Sequence, residues 1–98
     1  MTGGNISDLH RRLRADADVV VRRVEDEIVV VHLGRNHVFS LNPTGARLWE
    51  LIAEGCTPAE AIERMLGEFD VPETELRSEV SSFLKQLLRE GLLVPNER

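Results

Sequence analysis

The chain has 98 residues, enough for one domain near the lower limit at which a hydrophobic core sustains itself. With 42% hydrophobic and 30% charged residues it reads as a folded, soluble globule rather than a disordered chain. Seventeen acidic residues against 12 basic ones, a net charge of -5, argue against general nucleic-acid binding, and no apolar run is long enough to span a bilayer.

Residues 1–5 are expected to be loose. Ile6, Leu9 and Leu13 recur at intervals of three and four, with Arg11, Arg12 and Arg14 opposite, a pattern for one or two turns of amphipathic helix. Residues 1–18 are therefore read as a flexible or partly helical N-terminal arm, and residues 19–94 as the domain. Cys56, the single cysteine, excludes an internal disulfide, so packing must supply the stability. No secretory signal opens the sequence, which makes the cytoplasm the expected address.

Val19–Val24 and Glu27–Leu33 are β-rich runs joined by Glu25-Asp26, which reads as a tight hairpin. Leu33-Gly34-Arg35-Asn36 turns the chain into a third strand, His37–Leu41. Valines on both faces of the first two strands imply that neither face is fully wet. Helices should cover one face. Ile6, Leu9 and Leu13, or a second copy of the chain as a homodimer, should cover part of the other.

Asn42-Pro43 marks a helix start, since Asn caps well and Pro loses no needed N–H at the first helical position. Leu48, Trp49, Leu51 and Ile52 follow at helical spacing, and Gly55 stops the run. Thr57-Pro58-Ala59-Glu60 fits a capping box, opening a second helix with the stripe Ala61, Ile62, Met65, Leu66 and Phe69. Asp70-Val71-Pro72 breaks it. A third helix runs from about Glu73 to Glu90 and ends at Gly91, and Leu92, Leu93 and Val94 form a short extended tail. The expected fold is α+β: a three-stranded antiparallel meander followed by three helices, winged-helix-like in outline.

Reactive groups do not converge. His32 and His37 become cross-strand neighbours if the hairpin closes, but no Cys, Asp or Glu stands at ligand spacing beside them, so no metal is expected. Cys56 lies at a helix-to-helix turn without a histidine partner. Phosphate loops, dinucleotide fingerprints and zinc motifs are missing, so neither a cofactor nor a catalytic residue is assigned. A winged-helix DNA reader needs a basic recognition helix. In the third helix Arg77, Lys85 and Arg89 are offset by Glu73, Glu75, Glu79 and Glu90.

A peptide-binding module remains. The third strand comes last in the meander, and an edge there would offer free N–H and C=O groups to an extended peptide. On the third helix, Leu76, Val80, Phe83 and Leu87 form the central stripe. Its apolar surface spreads to one side, through Leu84 and Leu88 beside Arg77 and Ser81, and the opposite flank is Glu79, Gln86 and Glu90. Either Leu84 and Leu88 pack against the rest of the fold, or they form a groove wall facing the third strand.

The stretch from His37 to Trp49, HVFSLNPTGARLW, with the Thr57-Pro58 helix start, Phe83-Leu84, Leu87 and Glu90-Gly91-Leu92-Leu93, resembles the PqqD-like proteins over about Val19 to Val94. These are leader-peptide recognition domains of pathways that make and modify ribosomal peptides. The resemblance implies the second arrangement, with a leader peptide paired to the third strand and lying against the third helix. His37, Val38, Phe39, Ser40 and Leu41, with Arg77, Val80, Ser81, Leu84 and Leu88, would then line the site. It implies a non-catalytic protein that presents a precursor to a modifying enzyme or leader peptidase. LNPTGARLWEL is more similar to the lasso-peptide members than to the pyrroloquinoline quinone members, whose peptide chaperones are the alternative.

Overall fold

The computed structural model describes residues 9–96. Its strands are β1 (Leu13–Ala15), β2 (Val19–Val24), β3 (Glu27–His32), β4 (His37–Leu41) and β5 (Leu93–Pro95). Its helices are α1 (Pro43–Ala53), α2 (Pro58–Leu66) and α3 (Glu73–Arg89). The antiparallel meander β2-β3-β4 followed by three helices is the α+β arrangement expected.

Local chemistry explains the boundaries. Glu25 and Asn36 take positive φ, 58° each, at the two turns that join the strands of the meander. The Asn42 side chain accepts a hydrogen bond from the Gly45 N–H at 2.9 Å, with Pro43 at the first position of α1. Thr57 and Glu60 close a reciprocal capping box at the head of α2. Gly55 (φ 109°) follows α1 and Gly91 (φ 76°) follows α3, conformations that a side chain would strain.

Register sorts the sheet into two faces. Ile28, Val30 and Leu41 point to the helices and are buried. They meet Leu48, Trp49, Leu51 and Ile52 of α1, Ala61, Ile62 and Met65 of α2, and Leu76, Val80, Leu84 and Leu87 of α3 in one core. An Arg23–Glu50 ion pair clamps β2 to α1.

The N-terminal expectation needs correction. Leu13, expected to end an amphipathic helix, opens β1, which pairs antiparallel with β5: Leu13 faces Pro95, Arg14 faces Val94 and Ala15 faces Leu93. Backbone bonds from Asp16 N–H to Leu92 C=O (3.0 Å) and Asn96 N–H to Arg12 C=O (2.8 Å) extend the ladder. Leu13 is 3% exposed and belongs to the core, so it does not cover the outer face of the meander. Leu9 instead borders a cavity with Thr57, Ala59 and Arg77; Ile6 lies outside the described residues. The outer face keeps Val20, Val24 and Val38 exposed by 43%, 56% and 64%.

Candidate functional site

The candidate site is the free edge of the meander and the helix beside it. β3 lies between β2 and β4, so among the described residues β4 has a strand neighbour on one side only. The two-residue turn Glu25-Asp26 closes on Val24 and Glu27, and such a turn closes on a pair that exchanges both hydrogen bonds. Alternation then aims the backbone groups of Glu27, Val29 and Val31 at β2, and those of Ile28, Val30 and His32 at β4. Their partners on β4 are Leu41, Phe39 and His37. The N–H and C=O groups of Val38 and Ser40 consequently face away from the sheet.

Three contacts fix which flank of α3 lies beside β4. The His37 Nδ1 stands 3.1 Å from the Glu90 Oε1. The Arg35 guanidinium, from the β3–β4 turn, lies against Gly91. The ring of Phe83 lies against Gly45, in the first turn of α1. β4 therefore runs alongside α3 with His37 at the helix's C-terminal end, and the flank it meets carries Phe83 and Glu90.

This corrects the helix half of the expected groove. Arg77 is tied to Glu73 at 2.8 Å and to Glu63 of α2 at 4.0 Å, so its flank faces α2. Val80 and Leu84 are core residues at 0% and 3% exposure, and Leu88 is half-buried against the same core. Ser81 is half-buried on that side. The apolar surface spreads toward Leu84 and Leu88 because α2 packs there. On β4, His37, Val38 and Ser40 are exposed and Phe39 is half-buried with its ring edge-on to His37, centroids 6.2 Å apart. Leu41 is 3% exposed, and its side chain belongs to the core.

The flank facing the open edge holds Glu79 and Gln86, expected on the polar side of the helix, together with Phe83 from its central stripe. Ser78, Glu79, Ser82, Phe83 and Gln86 line a shallow cavity of about 220 Å³. Phe83 is a half-buried aromatic among exposed polar neighbours. That was the available signal: an aromatic in the helix's apolar stripe, followed three residues on by a polar one.

The histidines serve different partners. His32 is 6% exposed; its Nδ1 accepts from the Arg35 N–H at 3.2 Å and its Nε2 lies 3.0 Å from the Asp16 Oδ2. A single tautomer, with hydrogen on Nε2, satisfies both. His37 and His32 face each other across the ladder but turn to different carboxylates. Among the described residues no group of three His, Cys, Asp or Glu is placed to hold a metal ion, and no helix is long and apolar enough to cross a membrane.

Comparison with known proteins identifies the fold. The family model described as coenzyme PQQ synthesis protein D (PqqD) matches residues 27–93. A solved structure described as TbiB1 in complex with the TbiA(beta) leader peptide is 30% identical, with a TM-score of 0.75 over 82% of this chain and 93% of that one. A second, described as lasso peptide synthetase B1 complexed with the leader peptide, is 19% identical, with a TM-score of 0.76 over 86% of this chain and 99% of that one. At that identity the second likeness concerns the fold alone. No curated protein matches the chain.

Proposed function

We propose, from the premise that this chain belongs to the PqqD family, that it is a non-catalytic recognition protein for the leader segment of a precursor peptide. The leader adds as a further strand to the free edge of β4 and rests its side chains on the Phe83 flank of α3. The observation that carries this reading is the pairing of an open backbone edge, at Val38 and Ser40, with the half-buried Phe83 on the helix beside it. Main-chain hydrogen bonds supply affinity in strand addition, and side-chain pockets beside the edge supply selectivity.

The pathway we favour is lasso-peptide synthesis, in the cytoplasm, with a leader peptidase or modifying enzyme as second partner. Support comes from the TbiB1 likeness at 30% identity, in which the bound partner is a leader peptide. His32 turns to Asp16 and His37 to Glu90, and the chemistry is assigned to the partner enzyme.

The test is fluorescence polarisation with a labelled leader from the precursor gene that neighbours this one, alongside mass spectrometry of the full precursor. Saturable leader binding with the precursor mass unchanged is the expected result. Turnover by the protein alone, or equal affinity for the leader and a scrambled leader, overturns the proposal. Tighter binding to a quinone-pathway precursor would reassign the pathway and keep the mode of binding.

A further inference from the structure

We infer that Glu79, with Phe83 and Gln86, forms a subsite for one basic side chain of the bound peptide, arginine in preference to lysine. The inference rests on the strand-addition reading above and adds a selectivity to it.

The cavity beside Phe83 has mixed chemistry: a carboxylate, a primary amide, two serine hydroxyls and an aromatic ring. A guanidinium matches all of these. Its planar face stacks on an aromatic ring, while its N–H groups donate to a carboxylate, an amide oxygen and a hydroxyl in one plane. An ammonium satisfies the carboxylate but stacks less well. An aliphatic side chain would cover the ring and leave the carboxylate dehydrated without a partner, which is unfavourable.

The charges of the protein leave this position open. Arg77 is engaged by Glu73 and Glu63, Arg47 by Glu50 and Glu68, and Glu90 by His37. The Glu79 side chain has no ion pair or hydrogen bond among the described residues. Lys85 and Arg89 are cations farther along the same helix, about 9 and 15 Å up the axis at 1.5 Å per residue.

The lengths place the subsite in the groove. Glu79 and Glu90 are eleven residues apart on α3, about 16 Å. From His37 to Leu41 of β4 is four steps, about 13 Å. Glu90 marks the His37 end, so Glu79 lies just past the Leu41 end, toward the Gly45–Phe83 contact. A peptide strand on β4 therefore meets a carboxylate already partnered by His37 at one end and an unmatched carboxylate at the other.

The experiment is panning a phage-displayed library of random linear 12-residue peptides on the immobilised full chain, wild type against Glu79→Gln and Glu79→Lys. Glu79 is exposed, and circular dichroism first establishes that each variant is folded. Wild type should enrich peptides carrying Arg or Lys at one fixed distance from an apolar anchor. Glu79→Gln should reduce that enrichment at least fivefold, and Glu79→Lys should replace the basic residue by Asp or Glu. Apolar anchors enriched without a fixed basic residue, or an unchanged preference in Glu79→Gln, overturn this inference and leave the groove standing. A library from which nothing enriches overturns the groove and the subsite together.

Discussion

Gly45 and Phe83 are matched so closely that a Cβ at residue 45 would lie 2.8 Å from the Phe83 Cζ and 2.9 Å from its Cε1. Gly45 stands inside a helix, where glycine costs about 1 kcal/mol relative to alanine. The missing side chain is what lets the aromatic ring reach the head of α1, where it floors the proposed groove. In Gly45→Ala the ring must swing away, since its far edge is what the new methyl meets. The gain in helix propensity offsets part of the lost packing. We expect a small change in thermal stability and a several-fold loss of leader affinity, read by melting and fluorescence polarisation on the same sample. A variant that binds like wild type would separate Phe83 from the site.

Ser40→Pro addresses the backbone directly. The Ser40 N–H points away from β3, so proline there removes no bond of the ladder, and edge strands accept proline on that side. The fold should survive, by circular dichroism, while leader binding falls by an order of magnitude or more. Phe39→Pro is the contrast: its N–H faces β3, and the sheet itself should be damaged. If Ser40→Pro binds normally, the peptide does not pair with β4.

Local chemistry carried most of the fold in the sequence. Glu25-Asp26 and Asn36 announce turns, and Asn42-Pro43 and the Thr57–Glu60 box announce helix starts, because each satisfies its own backbone within four residues. β1 is different. Leu13-Arg14-Ala15 fits a helix as well as a strand, and its partner Leu93–Pro95 lies at the other end of the chain, so nothing nearby specifies the pairing. The groove wall escaped for another reason. Helical periodicity ranks the flanks of α3 by apolarity, and the more apolar flank, Leu84 and Leu88, is consumed by the core and α2. What packing leaves over is the flank of Glu79, Phe83 and Gln86, the wall of the proposed groove.

Leu13→Ala tests the β1–β5 ladder. Leu13 is 3% exposed within the core, and truncating a buried leucine costs about 2–5 kcal/mol. Thermal and urea unfolding should both report a loss in this range. Binding of an apolar-surface dye in the folded state should not rise, because Leu13 does not cover the valines of the outer face. A loss below about 0.5 kcal/mol, the level of surface substitutions, would show that β1 is dispensable.

The last expectation concerns acid. Arg47 of α1 grips Glu68, in the α2–α3 connection, through two bonds, Nε to Oε1 at 2.8 Å and Nη2 to Oε2 at 2.9 Å. It also reaches Glu50 at 3.0 Å, which pairs with Arg23 of β2. The hydrogen bonds from Arg47, ahead of simple charge attraction, hold the Glu68 carboxyl below the usual range, and the Arg47 guanidinium is raised by the same bonds. A carboxyl lowered in the folded state stabilises above its unfolded pKa, about 4.3 for Glu. That contribution fades as pH falls through the folded value. The raised Arg47 adds nothing to this window, since it stays protonated throughout. Both side chains are partly exposed, 28% and 38%, so the pair contributes at most about 1 kcal/mol. Melting wild type and Glu68→Gln at pH 7 and pH 3 should show a small deficit for the variant at pH 7 that closes at pH 3. A deficit that persists at pH 3 would assign the role of Glu68 to packing and hydrogen bonding that do not depend on its charge.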